Sequence, residues 1–227
     1  IMTDKDKELI ELLKHENQEL REKIEKILQD TKRTYIEVII SIMGALESKD
    51  EYTRGHSFRV SHYCIETAYE LPEDKKLTEK EKELLEFASI IHDVGKIGVQ
   101  DSVLLKPERL TEEEYKIMQT HTLIIKKILG PLIFLKEAID IALKHHERID
   151  GKGYPFGLKG EEIPFLSKII CVCDAFDAMT TPRQYRKKPL SLDETFAELR
   201  KNVGTQFDGV IVESLIRAIK KIGLLKY

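Results

Sequence analysis

Tryptophan is absent from this sequence, and cysteine, proline and glycine are scarce. The 227 residues include three Cys, seven Pro and twelve Gly. Three cysteines are too few, and odd in number, for a disulfide framework, which favours a reducing compartment such as the cytoplasm. The low Pro and Gly content, together with 41% hydrophobic residues, excludes a disordered or fibrous chain and favours a helix-rich globular protein.

The charges of the chain nearly cancel, with 37 Lys and Arg against 40 Asp and Glu. A formal net charge of -3 predicts neither a basic surface for duplex nucleic acid nor a polybasic patch for anionic lipid. No apolar run reaches the ~18 residues of a membrane helix, and no signal-peptide pattern is found, so we expect no membrane insertion. An anionic ligand must therefore be held by local cations or metal ions.

A Pro-free stretch dense in Glu, Lys and Leu predicts one long helix from about residue 4 to residue 48. Its apolar positions alternate at spacings of three and four, like the a and d positions of a coiled coil. This seam comprises Ile10, Leu13, Asn17, Leu20, Ile24, Ile27, Thr31, Thr34 and Val38. Asn17 takes an a position, where a polar residue favours a parallel dimer. We expect residues 1–34 to form a dimeric coiled coil, the alternative being an amphipathic helix packed on its own domain.

Beyond residue 35 the apolar spacing stays helical, and no alternating strand pattern exceeds a few residues. Capping signatures mark helix starts at Thr78 and Thr111, and the apolar pattern of a later helix runs from Lys136 to His146. Irregular loops are expected at residues 95–106, 150–163 and 181–189. We therefore predict an all-α fold in which residues 35–227 form one catalytic domain.

Residues of the metal-ligand type collect at the ends of apolar stretches. His92 and Asp93 follow such a stretch directly, and Asp174 follows the apolar run at residues 169–173. A buried imidazole beside a carboxylate is costly unless a charged group such as a divalent metal pairs with it. Each residue alone has a structural explanation, but together they favour a metal centre. The candidates from this reasoning are His92, Asp93, His121, His145, His146 and Asp174.

Four motifs, in order along the chain, resemble those of the HD-GYP domain, a branch of the HD metal-dependent phosphohydrolases. They lie at residues 52–57, 92–98, 145–155 and 174–180, and the third ends in Gly-Tyr-Pro. The resemblance covers roughly residues 47–209. It implies a helical HD-domain bundle with a bi- or trinuclear metal centre that hydrolyses cyclic di-GMP to pGpG and, in some members, to GMP.

Carried over by position, the resemblance implies seven metal ligands, with Asp93 as the bridge between ions and Lys96 directed at the substrate phosphate. The ligands are His56, His92, Asp93, His121, His145, His146 and Asp174. Members with three metals have a Glu where this sequence has Tyr52, so we expect two ions, and this departure bears most on His56. His62 matches no motif position.

Imidazole and carboxylate ligands without thiolate favour Fe or Mn over structural zinc. Two such ions lower the pKa of a bound water toward neutrality, so we expect hydroxide rather than a side chain to attack phosphorus. Predicted substrate contacts are Asp50, Gly153, Tyr154, Arg183 and Arg186. Each contact has a structural alternative: a carboxylate at a helix end, a turn whose Tyr ring covers the core, or a solvated charge run.

Two other functions fit the same residues. A catalytically weak or inactive module that senses a cyclic dinucleotide is compatible with Tyr52, although an intact Lys96 argues against it. An HD hydrolase of another nucleotide, including hybrid cyclic GMP-AMP, is the second alternative. The function we expect is a cytoplasmic, homodimeric cyclic di-GMP phosphodiesterase regulated through its N-terminal helix.

Overall fold

The computed structural model describes residues 3–47, 55–182 and 188–224, which form nine α-helices joined by turns and short 3-10 segments. The helices are α1 (Asp4–Glu47), α2 (His56–Tyr69), α3 (Glu79–Ile91), α4 (Asp101–Leu104), α5 (Glu112–Leu129), α6 (Lys136–Ala142), α7 (Phe165–Thr180), α8 (Leu192–Lys201) and α9 (Gly209–Ile222). No strand occurs within the described ranges, so the predicted all-α class is confirmed. Four residues discussed above, Asp50, Tyr52, Arg183 and Arg186, lie outside the described residues.

Two compact units divide the chain between Ile42 and Met43. This division lies within α1, which continues to Glu47, and the domain boundary after residue 34 stays a prediction. In the first unit the apolar side chains of the predicted seam are exposed, from 38% for Ile10 to 63% for Ile27. None of the described helices is long and apolar enough to span a membrane.

The second unit is built around α7, which packs against α2, α8 and α9. Its inner face carries Ile169, Ile170, Val172 and Cys173, which are fully buried. Cys171 is buried beside them, so both cysteines of this helix fill the core as small apolar side chains. Because α2 also contacts α3, and α3 contacts α6, the polar ends of these helices are brought next to α7.

Two predicted helix starts are confirmed by their capping boxes. Thr78 accepts a hydrogen bond from the amide of Glu81 at 3.3 Å through Oγ1, while Oε2 of Glu81 accepts one from the amide of Thr78 at 2.8 Å. Thr111 and Glu114 form the same reciprocal pair at the start of α5. These boxes satisfy amides that have no partner within their own helix.

The helix predicted over residues 136–146 is shorter than expected, since α6 ends at Ala142. Beyond that point the backbone tightens: the amide of His145 donates to the carbonyl of Ala142 at 3.3 Å, and the amide of Glu147 to that of Lys144 at 3.0 Å. Such bonds span three residues rather than four. The tighter turn accompanies a close pairing of His145 with His146, whose ring centroids are 3.8 Å apart.

Candidate metal centre

Seven His and Asp side chains meet in two neighbouring groups in the second unit. One group is Asp93, His121, His145 and His146, and the other is His56, His92 and Asp174. Within each group the ligand-type atoms all lie within 4.8 Å of one another. The structure thus brings together all seven residues predicted as ligands, and His62 belongs to neither group.

Three of the histidines are oriented by the backbone of their own helix or turn. Nδ1 of each ring donates to the carbonyl oxygen three residues earlier, at 2.6 Å for His92 and at 2.7 Å for His121 and His145. Because a carbonyl oxygen only accepts, the proton of the neutral ring lies on Nδ1 and the lone pair on Nε2. All three Nε2 atoms are buried and have no hydrogen-bond partner.

Asp93 faces both groups with its two carboxylate oxygens. Oδ2 lies 3.4 Å from Nε2 of His92 and 3.5 Å from Nε2 of His56. Oδ1 lies 3.5 Å from Nε2 of His121 and has no hydrogen-bond partner of its own. Nζ of Lys96 pairs with Oδ2 at 2.5 Å. The carboxylate of Asp93 therefore lies between the two groups, and its role as a bridge stays a prediction.

His56 is oriented by Asp177, to which sequence reasoning assigned no role. Nδ1 of His56 donates to Oδ2 of Asp177 at 2.7 Å. Arg59 donates to the same carboxylate from Nε at 2.6 Å and from Nη2 at 3.0 Å. Nε2 of His56 therefore turns toward Oδ1 of Asp174, 3.3 Å away. A carboxylate that fixes the far nitrogen of a metal-binding imidazole is a recurrent feature of metal sites. The available signal was the spacing of Asp174 and Asp177, about one turn apart on an apolar helix.

The start of α2 is capped by Glu47, which sequence reasoning also missed. Gly55 occupies the N-cap position at a φ of 68° and has no side chain with which to cap the helix. Oε2 of Glu47 accepts from the amide of Gly55 at 2.7 Å, and Oε1 from that of Ser57 at 3.0 Å. An anionic acceptor at a helix N-terminus stabilises it through hydrogen bonds and the helix dipole. Glu47 therefore fixes the turn that carries His56.

Close backbone approaches at two glycines bring the motifs together. A Cβ at Gly95 would overlap the carbonyl oxygen of His121, so the turn that follows Asp93 lies directly on α5. A Cβ at Gly153 would overlap the backbone of residues 146–148. The Gly-Tyr-Pro loop thus folds back onto the chain immediately after the ligand pair.

The ring of Tyr154 lies against two of the candidate ligand imidazoles. Its centroid lies 4.7 Å from that of His146 at an interplanar angle of 35°, and it makes edge contacts with His121 and Tyr115 at 6.3 and 6.2 Å. The amide of Tyr154 donates to the carbonyl of His146 at 3.2 Å. These contacts correspond to the covering role considered for Tyr154, and substrate contacts by Gly153 and Tyr154 stay predictions.

Burial keeps the imidazoles of the first group neutral. Burial, reinforced by His146 and His92, holds the pKa of His145 well below its usual value. For His146, burial and the nearby His121 lower the pKa to about 3. Burial likewise lowers the pKa of His121. At neutral pH these rings therefore carry the lone pairs that a metal ion requires.

The carboxylates are ionised despite their burial. Burial by itself would raise the pKa of Asp93, but the ammonium of Lys96 contributes to holding that pKa well below its usual value. The hydrogen bond from His56 does the same for Asp174 against the effect of burial. Burial would lower the pKa of His56, yet hydrogen bonds with Asp174, Asp177 and Asp93 raise it to about 10.

The donor set fits divalent metal ions. The imidazoles of the first group are neutral and the carboxylates are ionised, which are the protonation states in which these side chains bind metals. His56 would join them by losing its Nε2 proton as a cation binds. A buried polar atom without a partner typically costs about 1–3 kcal/mol, and four atoms of this centre lack one: Nε2 of His92, His121 and His145, and Oδ1 of Asp93. Cations held by the two ligand groups would satisfy all four.

Comparisons with known proteins agree with this geometry. Residues 9–211 match the family model described as HD domain. A cyclic di-GMP phosphodiesterase of Thermotoga maritima is 36% identical over 203 residues, which cover 88% of this chain and 54% of that protein. A 3'3'-cGAMP-specific phosphodiesterase of Vibrio cholerae is 34% identical over 186 residues, covering 82% of this chain and 39% of that protein. The chain thus spans about half the length of these curated relatives, or less.

A solved structure shares the fold. An HDG"Y"P protein from Bdellovibrio bacteriovorus superposes with a TM-score of 0.58 at 20% identity, over 73% of this chain and 51% of that one. The shared fold agrees with the match to the family model, and the four motifs supply the residues of the site described above. The chain therefore belongs to the HD domain family.

Proposed function

We propose that this chain is a phosphodiesterase that hydrolyses cyclic di-GMP to the linear dinucleotide pGpG. The observation that carries this proposal is the pair of adjoining ligand groups with Asp93 between them and the ammonium of Lys96 alongside. In the reaction a water oxygen bonds to phosphorus and the bond to the 3′ oxygen breaks. The products of that cleavage are a 5′-phosphate and a 3′-hydroxyl.

We assign two divalent ions, Fe or Mn, to the two ligand groups, because the donors are imidazole and carboxylate without thiolate. When bound, two such ions supply an activated water and hold the phosphate oxygens in line with it. The departure at Tyr52 disfavours a third ion. Hydrogen bonds from Nδ1 of the imidazoles to Asp177 and to backbone carbonyls fix the orientation of the rings. Little reorganisation of the side chains is therefore needed when metal ions bind.

We propose that the ammonium of Lys96 contacts the substrate phosphate. Its side chain is 23% exposed, so the ammonium reaches both Asp93 and solvent, where a phosphate can approach. A fixed cation at that place offsets the charge that grows on the phosphate oxygens. The remaining substrate contacts that we propose are Asp50, Gly153, Tyr154, Arg183 and Arg186.

A second substrate is favoured by one relative. The Thermotoga maritima protein is named for cyclic di-GMP and the Vibrio cholerae protein for 3'3'-cGAMP, and the identities to this chain are similar. The two substrates share the phosphodiester and differ in one base. The same metal centre therefore serves a hybrid dinucleotide, with selection left to the contacts around the bases.

The test is metal analysis of anaerobically prepared protein, followed by chromatography of the products from cyclic di-GMP and 3'3'-cGAMP in parallel. We expect bound Fe or Mn and the release of pGpG, and the same chromatogram reads out any GMP. Protein that binds no transition metal, and that shows no turnover when Mn or Fe is added, would contradict the proposal. Turnover of the hybrid dinucleotide alone would replace the first substrate with the second.

We further propose that the chain is a cytoplasmic homodimer paired through α1. Its three cysteines are free, as in reducing compartments. The exposed seam includes Leu20 at 49% and Ile24 at 57%, and a second copy of the same helix would bury it. Asn17 is the polar residue of this seam, and its Nδ2 donates a hydrogen bond to the carbonyl of Leu13 at 3.1 Å within the same helix.

Leu20→Glu is expected to convert a dimer into a monomer, because it places a charge in the middle of the proposed seam. Sedimentation equilibrium at micromolar concentration measures the change. The matched control is Gln29→Glu, which adds the same charge on the opposite, exposed face of α1 and leaves the dimer intact. A parent chain that sediments as a monomer would remove the proposal.

A further inference from the structure

Glu147 follows the ligand pair directly and is only 2% exposed. Oε1 accepts a hydrogen bond from the amide of Phe156 at 2.7 Å, and Oε2 accepts one from the amide of Leu158 at 3.0 Å. Within the described residues no Lys, Arg or His side chain pairs with this carboxylate. Its charge is therefore stabilised by two backbone N–H groups of the Gly-Tyr-Pro loop, an arrangement of strong charge-assisted bonds.

Side-chain packing does not explain how this part of the loop is held. Phe156 is the large apolar residue beside the Tyr-Pro turn, and it is 54% exposed. The amides on either side of Gly157, which has a φ of 69°, both converge on Glu147. The backbone around Gly157 is thus held by two hydrogen bonds to a buried carboxylate, while the apolar side chain of Phe156 points to solvent.

The same loop also touches the ligand pair. The amide of Tyr154 donates to the carbonyl of His146, and the Tyr154 ring lies on the His146 ring. Gly153 lies against the backbone of residues 146–148 without room for a Cβ. Three consecutive residues thus supply two candidate ligands and, in Glu147, the acceptor that fastens the loop over them.

We propose that Glu147 is a positioning residue, which fastens the Gly-Tyr-Pro loop to the ligand pair and so makes the metal centre selective for cyclic dinucleotides over simpler phosphodiesters. The selectivity rests on the proposed function, whereas the fastening rests on the hydrogen bonds alone. Small diesters need the metal ions and no loop. A cyclic dinucleotide also needs a surface beyond the phosphate, which the loop provides only while it is held in place.

The first measurement tests whether Glu147 holds the loop in place, and it requires no enzymatic reaction. Backbone hydrogen exchange of Phe156 and Leu158 is compared in the parent, Glu147→Gln and Glu147→Asp. Gln keeps the size but turns an NH₂ group toward one amide, and Asp keeps the charge but is one methylene too short to reach both. We expect exchange at these amides to become ~10-fold faster or more in both variants, because a bond to a buried charged acceptor is lost. Unchanged exchange would overturn the proposal.

The second measurement reads selectivity as the ratio of kcat/KM for cyclic di-GMP to kcat/KM for bis(p-nitrophenyl) phosphate. We expect the ratio to fall ~10-fold or more in both Glu147 variants, mainly through a higher KM for the dinucleotide, with bound metal close to the parent value. Equal losses on both substrates, accompanied by loss of metal, would reduce Glu147 to a structural role and overturn the proposal.

Two control variants carry the same Glu-to-Gln change. Glu194→Gln alters an exposed carboxylate that accepts from the amide of Ser191, and it is expected to leave the ratio as it is. Glu47→Gln alters a buried carboxylate that accepts two amides at the start of α2, so it matches the chemical change and the burial. Glu47→Gln is expected to lower the metal content and to lower kcat/KM for both substrates by the same factor.

Failure of the proposed function gives a different pattern. A parent chain that hydrolyses neither substrate refutes the phosphodiesterase proposal, and in that case the exchange data still decide whether Glu147 fastens the loop. An active parent in which the selectivity ratio is unmoved by either Glu147 variant refutes the inference and leaves the phosphodiesterase proposal standing.

Discussion

Replacing Asp93 with alanine is expected to lower turnover of cyclic di-GMP on the order of 10³-fold or more, because both ligand groups lose the carboxylate between them. The two oxygens of Asp93 face Nε2 of His92 and His121 at 3.4 and 3.5 Å. Without that negative charge a cluster of buried imidazoles has much less affinity for cations. We therefore expect bound metal to fall together with the rate.

Initial rates by product chromatography and metal analysis on the same samples measure the Asp93→Ala effect. Asp140→Ala is the matched control, because Asp140 is an exposed carboxylate on α6 that pairs with Lys144 at 2.6 Å. The control is expected to keep both rate and metal content. If Asp93→Ala kept the parent rate, the assignment of this centre to catalysis would be wrong.

The same variant separates an enzyme from a sensor. A module that only binds a cyclic dinucleotide has no turnover to lose, so Asp93→Ala would change its affinity alone. Isothermal titration of the parent and the variant with cyclic di-GMP under metal-free conditions reads that affinity. Strong binding by a parent chain that never releases pGpG, with or without added Mn or Fe, would favour the sensor.

The sequence predicted which side chains lie together at the candidate metal centre, since they are the polar members of otherwise apolar local segments. His92 and Asp93 follow the last residues of α3, and Asp174 lies on the apolar α7, so each ligand could be found from its neighbours in the chain. Three-dimensional closeness was not needed to find them. The resemblance to a family added His56 to the candidate set, and the structure shows the seven side chains as two clusters.

The supporting carboxylates could not be found in the same way. Asp177 acts on His56 across 121 positions of sequence, and no local pattern indicates that pairing. Glu47 and Glu147 act on backbone amides, which every residue except proline possesses, so their partners have no signature in the sequence. Such roles become visible only when the backbone path is known.

The pattern of apolar residues also did not predict where the helices end. α6 stops at Ala142 although apolar spacing continues, because the chain tightens into a turn that sets two imidazoles side by side. The short helix α4 lies inside the loop expected at residues 95–106, where Val103 is buried at 4% exposure. Periodicity over a single turn is too short to indicate either feature.

Replacing Lys96 with methionine is expected to lower kcat for cyclic di-GMP by ~10²–10³-fold, the usual effect of removing a group that stabilises charge in a transition state. Met keeps an unbranched apolar chain of similar length, so the change removes the ammonium with little loss of packing. Lys144→Met is the matched control, because Lys144 lies just beyond α6 and its ammonium pairs with Asp140, which belongs to neither ligand group. Initial rates at saturating substrate measure kcat.

Metal content decides between two explanations of that loss. Lys96 lies 2.5 Å from Asp93 but belongs to neither ligand group, so its ammonium can act on the phosphate or merely hold the Asp93 carboxylate in place. If the ammonium acts on the phosphate, kcat falls while bound metal stays near the parent value, and Lys96→Arg restores part of the rate because a cation is still present. If it only holds Asp93, metal and rate fall in proportion, and added Mn or Fe recovers both. The first outcome is the expected one, because the side chain of Lys96 remains partly open to solvent whereas Asp93 is buried.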